Sequence, residues 1–238
     1  MENYTQFAFI YDEVMDESLY ERWLSFSKRH LLGGKTELLE LACGTGALAV
    51  EFAKSGFNVT GLDLSEEMLM MAYNRGVENN VFVTWVEGNM LDLSEVGRYQ
   101  VVTCFSDSIC YMRGRQEIQQ VFDEVYRVLE EDGTFLFDVH SIFQIDEVFP
   151  NYSYHVNEED YAFLWDSFKG EKEHSITHEL TFFVKDDEEK FYRVDEQHEE
   201  RTYSIEQYQF MLESAGFLDV EVYADFEDEA PDETSKRL

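Results

Sequence analysis

The stretch LLELACGTGALAVEFAKSGFNVTGLDLS, residues 38–65, decides the fold. Its opening residues are apolar except for Glu40 and read as a strand; Cys43-Gly44-Thr45-Gly46 then reads as a tight turn, and a helical pattern follows to Lys54. A second apolar run, FNVTGLDL, closes on the acid Asp63. Glycines allow backbone torsions and a close approach that a Cβ would block. A turn that opens a helix aims its backbone N–H groups at a ligand. Asp63 follows Gly46 by 17 residues, near the spacing at which a carboxylate takes both hydroxyls of a ribose. Strand, turn, helix, strand and acid together predict a site for an adenosine-bearing cofactor.

Outward from this unit the pattern repeats. TELLELA, FNVTGLDL, VFVTWVE, YQVVTCF and TFLFDVH are near-continuous apolar runs, as expected of strands covered on both faces. Helical patterns fall between them at Gly46–Lys54, Glu66–Arg75 and Arg115–Glu130; in the last, Ile118, Val121, Phe122, Val125, Val128 and Leu129 share one face. The order predicts an α/β fold, a doubly wound Rossmann-like sheet with right-handed crossovers. From 151 to 202 the period becomes 2, with His174, Ile176, His178, Leu180, Phe182 and Val184 on one side. This predicts an antiparallel β insert after the fifth strand, which either roofs the cleft or pairs two subunits as a homodimer. SIEQ at 204–207 reads as a capping box for a helix that Gly216 stops, FLDVEVYADF as a further strand, and EDEAPDETSKRL as a loose acidic tail. The resulting organisation is a helical leader over the cleft (1–35), a cofactor-binding core (36–150), the insert (151–202) and a return to the core (203–238).

Composition narrows the function. The chain has 238 residues with 51 acids against 18 bases, a formal net charge of -33. Such a surface repels phosphate backbones and anionic membranes, so neither nucleic acid nor membrane is expected as partner. Its 20 Phe and 14 Tyr argue against disorder. Cys43, Cys104 and Cys110 form no CxxC pair, so neither a zinc site nor a disulfide framework is indicated. MENYTQFAFIYDEVMDE lacks the basic start of a signal peptide, and no apolar run reaches membrane-span length. A cytoplasmic protein is expected.

The cofactor turns on detail. Dinucleotide folds place a third glycine where this chain has Ala49, an allowed variant, so NAD stays open. Glu40, just before the turn, suits a cationic amino-acid end better than a pyrophosphate by Coulomb sign.

ELACGTGALA, VTGLDLSEEML, WVEGNMLDL, YQVVTCFSDSICYM and VYRVLEEDGTFLFDV, taken in series over residues 36–141, resemble the motifs of class I S-adenosylmethionine-dependent methyltransferases. The leader FAFIYDEVM is similar to the Y-D-x-x-M leader of a bacterial subgroup that includes small-molecule and amino-sugar N-methyltransferases. The resemblance implies that Glu40 and the backbone of Ala42, Cys43 and Gly44 face the methionine part of the cofactor. It implies Asp63 on the ribose, Leu64 against the adenine, Asn89 and Met90 at the adenine's far edge, and Phe105 and Ser106 near the methionine amino group. Asn89 departs from the family's usual Asp, and the sequence stops at SKRL, where the family's closing antiparallel strand would begin: either that strand lies beyond the given sequence or the sheet is shorter here.

Methyl transfer from a sulfonium is an in-line displacement that needs alignment and desolvation, and a base only if the acceptor arrives protonated. The resemblance places Tyr11 over the cofactor and Tyr111 past the fourth strand. Each is a candidate base or a pocket wall, and phenols near pKa 10 are poor bases unless perturbed. No histidine spacing matches a metal motif, and His174 and His178 read as a solvated strand face. The expected activity is methylation of a small neutral or cationic acceptor. An NAD-dependent oxidoreductase and a non-catalytic cofactor-binding regulator are the competing readings.

Overall fold

Alternation within each strand sends successive apolar side chains to opposite faces of one central sheet. Leu38 and Val101 go to one core, Leu39 and Val102 to the other. The structure, a computed structural model, describes residues 16–31, 33–34, 36–186 and 188–238. Helix α1 (Glu17–His30) starts on Asp16, whose carboxylate accepts from the Ser18 N–H. It is followed by β1 (Glu37–Leu41), α2 (Ala47–Lys54), β2 (Asn58–Asp63), α3 (Glu66–Glu78), β3 (Val83–Glu87), β4 (Tyr99–Cys104), α4 (Arg115–Val128) and β5 (Leu129–Phe137). These strands form a parallel sheet of order β3-β2-β1-β4-β5. The order reverses between β1 and β4, which opens a crevice at their carboxyl ends, the place where such sheets bind ligands. Trp23 and Phe26 of α1 pack with Leu38, Phe52 and Phe105 over one face, while the apolar stripe of α4 covers the other.

After β5 the chain enters the expected insert: β6 (Ser153–Asn157), β7 (Tyr161–Lys169), β8 (Ser175–Lys185) and β9 (Phe191–Arg201), an antiparallel sheet in that order. On β8 the side chains of Ile176, His178, Phe182 and Val184 are buried, as the period of 2 requires. Thr202 Oγ1 donates to the carbonyl of His140 at 2.5 Å, so the excursion returns to where it left the core. Helix α5 (Ile205–Ala215) follows, with the capping box of Ser204 and Gln207 formed and Gly216 at φ 110° as its stop. Among the described residues no helix is long and apolar enough to cross a membrane.

Two expectations fail. FLDVEVYADF forms no strand: positive φ at Asp219, Asp225 and Phe226 bends it, and a groove of about 660 Å³ separates Leu218–Tyr223 from the outer edge of β5. Nor is the acidic tail loose. Val139 and Leu238 exchange two backbone hydrogen bonds of 3.0 Å, Ser141 N–H donates to the Lys236 carbonyl, and Arg237 inserts between buried carboxylates. The attraction of those carboxylates for one guanidinium outweighs the repulsion that the tail's own acids suggest.

Candidate active site

The turn after β1 is built by three left-handed residues: Ala42 at φ 51°, Gly44 at φ 52° and Gly46 at φ 74°. The two glycines serve different ends. A Cβ on Gly46 would lie 2.6 Å from the Trp85 ring and 2.7 Å from Ala72 Cβ, so this glycine lets α2 start close against β3 and α3. A Cβ on Gly44 would meet nothing within 4 Å, so its face of the turn is open. Asp63 ties turn to strand: Oδ2 accepts from the Gly44 N–H at 2.8 Å and Oδ1 from the Ser65 N–H at 2.9 Å. Each oxygen keeps a lone pair for a further donor.

Beneath the turn lies Glu40, with a side chain that is 4% exposed and an Oε2 that has no hydrogen-bond partner. Burial, and then the charge of Asp63, push its pKa up to about 8. A buried, partnerless carboxyl beside a glycine-rich turn fits a cofactor with a positively charged end, because a cation there supplies the missing partner. Cys43 is buried, and its backbone N–H donates to the Leu62 carbonyl. Leu64 projects 65% exposed at the end of β2, available to a flat apolar ring.

Asn89 is exposed, but its Oδ1 already accepts from the Leu91 N–H at 2.9 Å, leaving one lone pair for an adenine amino group. Met90 is buried in the core with Leu62 and Leu93. Phe105 is likewise a core residue, stacked on Trp23 with ring centroids 5.8 Å apart, and Ser106 follows it in a left-handed turn at φ 59°. Tyr111 ends the short 3-10 turn Ser108–Tyr111; it is 42% exposed, hydrogen-bonds the Glu200 side chain and meets the His198 ring edge-on at 5.8 Å. Tyr11 lies outside the described residues.

Behind Tyr111 is a buried polar cluster that no spacing in the sequence announced. Asp107 (in the turn after β4), Asp138 and His140 (just past β5), Glu200 (on β9) and Arg237 (in the tail) converge there. Asp107 N–H donates to Asp138 Oδ1 at 2.9 Å, and Trp23 Nε1–H donates to Asp138 Oδ2 at 3.2 Å. Burial pushes the Asp107 pKa upward, but Arg237 and His140 outweigh it and hold the carboxyl well below its ordinary range. Burial, then Asp107, raises Glu200 to about 7. His178 is not on a solvated face: it is 3% exposed, and Nδ1 accepts from Trp165 Nε1 at 3.0 Å and from the Ser167 hydroxyl at 2.7 Å. His174 lies in the turn before β8 at φ 54°, with Nδ1 2.7 Å from Asp146 Oδ2. The groups come from segments up to 130 residues apart, Asp107 and Arg237 being the extremes, so only the rule that buried charges need partners could have flagged them.

A family model described as a methyltransferase domain matches residues 38–133. A protein of Geobacillus sp. (strain WCH70), named a "Putative methyltransferase", is 42% identical over 239 residues, covering 99% of this chain and 97% of that protein. The "Putative methyltransferase YqeM" of Bacillus subtilis (strain 168) is 39% identical over 99% of this chain and 94% of that protein. Among solved structures, an S-adenosylmethionine-dependent methyltransferase from Clostridium acetobutylicum superposes with a TM-score of 0.84 at 26% identity, covering 98% of this chain and 96% of that one.

Proposed function

Because the chain belongs to the methyltransferase family and is an S-adenosylmethionine-dependent enzyme, we propose that it methylates a small neutral or cationic molecule, by preference an amine. Family membership removes the oxidoreductase reading, whose site shared the Asp63 logic. When bound, S-adenosylmethionine supplies the methyl group and carries its own sulfonium leaving group. The chain's part is to hold and align. Asp63 takes the ribose hydroxyls while its other lone pairs keep the turn closed. The open face at Gly44 admits the ligand, and Leu64 lies against the adenine. The observation that carries the assignment is Glu40: its unpartnered Oε2 meets the cofactor's amino group, and the buried pair gains from the low dielectric around it.

The acceptor assignment rests on charge and on the insert's position. A net charge of -33 opposes a polyanion and draws a small cation. The insert joins the core at the carboxyl ends of β4 and β5, where Tyr111 and Glu200 face a cavity of about 220 Å³ between the insert and the 3-10 turn. Tyr111 acts there as a wall and an orienting group; its phenol is bonded to a carboxyl and not freed by a base. The test compares purified RNA, bulk protein and a small-molecule extract as acceptors at one salt concentration, with S-adenosylhomocysteine production as the readout. Turnover in the small-molecule fraction is expected. Turnover on RNA or protein with none in the extract overturns the reading.

A further inference from the structure

Asp107, His140 and Glu200 are each buried, at 8%, 5% and 4% exposure, and come from β4's end, β5's end and the insert. His140 Nε2 stands 3.4 Å from Asp107 Oδ2 and 3.4 Å from Glu200 Oε2. Charged hydrogen bonds of this kind close to about 2.8 Å, so these three atoms are too far apart to bond one another well. Glu200 Oε2 has no hydrogen-bond partner. One ligand atom from each residue lies within 4.8 Å of the other two. A tetrahedral zinc-type ion bonded at about 2.1 Å keeps its ligand atoms roughly 3.4 Å apart, which is the separation of His140 Nε2 from each of the two carboxylate oxygens.

The neighbours prepare the same arrangement. Arg237 Nη1 takes the other oxygen of Asp107 at 2.5 Å and Asp138 Oδ2 at 2.6 Å, leaving Asp107 Oδ2 turned to His140. His178 accepts at Nδ1 from Trp165 and Ser167, so its proton sits on Nε2, which stands 3.5 Å from Glu200 Oε1 without a hydrogen bond. The His140 ring is held edge-on by Phe149 at 4.9 Å. Three carboxylates (Asp107, Asp138, Glu200) against the one guanidinium of Arg237 leave two negative charges in a buried volume when His140 is neutral. A divalent cation closes that balance; two protons are the competing way to close it.

We propose that Asp107, His140 and Glu200 bind a divalent metal ion of the zinc type, which fastens the insert to the carboxyl end of the central sheet. The imidazole and carboxylate donors suit zinc or cobalt better than magnesium, which prefers six oxygens. The ion's role is structural, and through Glu200, whose carboxyl also bonds Tyr111, it borders the acceptor cavity of the methyl-transfer reading.

The full chain, stripped with chelator and dialysed, is titrated with zinc chloride by calorimetry and separately with cobalt(II) by visible absorption. One ion per chain, the intense bands of tetrahedral cobalt and a raised unfolding temperature are expected. Glu200→Gln and His140→Gln each lower zinc affinity on the order of 100-fold, whereas His155→Gln, on the exposed side of β6, leaves it unchanged. Absence of one-to-one binding, an octahedral cobalt spectrum, or binding that survives Glu200→Gln overturns the proposal. If the variants do not fold, the cobalt spectrum and X-ray absorption of the wild-type protein decide, by finding or failing to find one nitrogen and two carboxylate ligands.

Discussion

Replacing Glu40 by Gln keeps the shape of the side chain and removes its charge, and the structure assigns opposite signs to the two consequences. In the ligand-free protein burial and Asp63 lift Glu40 from 4.5 to about 8. The folded state therefore holds a proton that the unfolded chain gives up near pH 4.5, and stability drains away as pH rises from there to about 8. At about 1.4 kcal/mol per pH unit the upper limit of that loss is about 5 kcal/mol. Glu40→Gln escapes it, so the ligand-free variant melts higher than the parent at pH 8 and matches it near pH 4.5. Cofactor binding moves the other way. A carboxylate paired with the cofactor's ammonium is worth about 1.5–3 kcal/mol, so the variant binds S-adenosylmethionine roughly 10- to 150-fold more weakly at pH 8. The pH profile carries the same logic. Below pH 8 pairing requires Glu40 to release a proton; above it the cofactor's amino group, with its own pKa near 8, must take one up. Parent affinity peaks near pH 8 and falls up to tenfold per unit on either side, and the acid limb flattens in the variant. Calorimetric titrations between pH 6 and 9, with melting curves of the free proteins, measure all three. Equal affinity of parent and variant across that range refutes the role given to Glu40.

Asp63→Ala removes the ribose acceptor and both ties of the turn, and calorimetry should find cofactor affinity at least about 10-fold lower. Gly46→Ala combines a positive φ with a Cβ that would lie 2.6 Å from Trp85; a loss of about 3 kcal/mol is expected in denaturant unfolding. Arg237→Ala leaves Asp107 and Asp138 buried without their cation, and about 3–5 kcal/mol is lost; a change under 1 kcal/mol refutes the docked tail. Tyr111→Phe keeps the ring and deletes the bond to Glu200, so turnover stays within about tenfold of the parent, less than removal of a general base costs.

The cofactor half was legible because its determinants are local. Glycines, strand-end acid and apolar runs lie within a few dozen residues, and each local pattern agrees with the sheet it joins. The insert was legible for the same reason, through its period of 2. Three features were not. FLDVEVYADF has the composition of a strand, but strands exist only with partners, and the outer edge of β5 does not reach it. The tail's acids suggested looseness, yet one residue, Arg237, fixes it by answering charges more than ninety residues away. His178 was assigned to solvent because period alone states that one face is buried, not which polar side chains go with it. The side chains of Met90 and Phe105, which the resemblance assigns to the cofactor, pack in the two cores on either face of the sheet.

The bond from Thr202 to the His140 carbonyl means that the sixty-odd residues between them form a closed detour, entered and left at one point. A polypeptide arranged this way can be edited as a cassette. Strands can lengthen and turns can lose or gain residues without shifting the path from β5 to α5. Changes within the detour then leave the glycine-rich turn and Asp63 untouched. Exchanging residues 141–201 between relatives is the natural experiment by which acceptor preference can be moved from one protein to another.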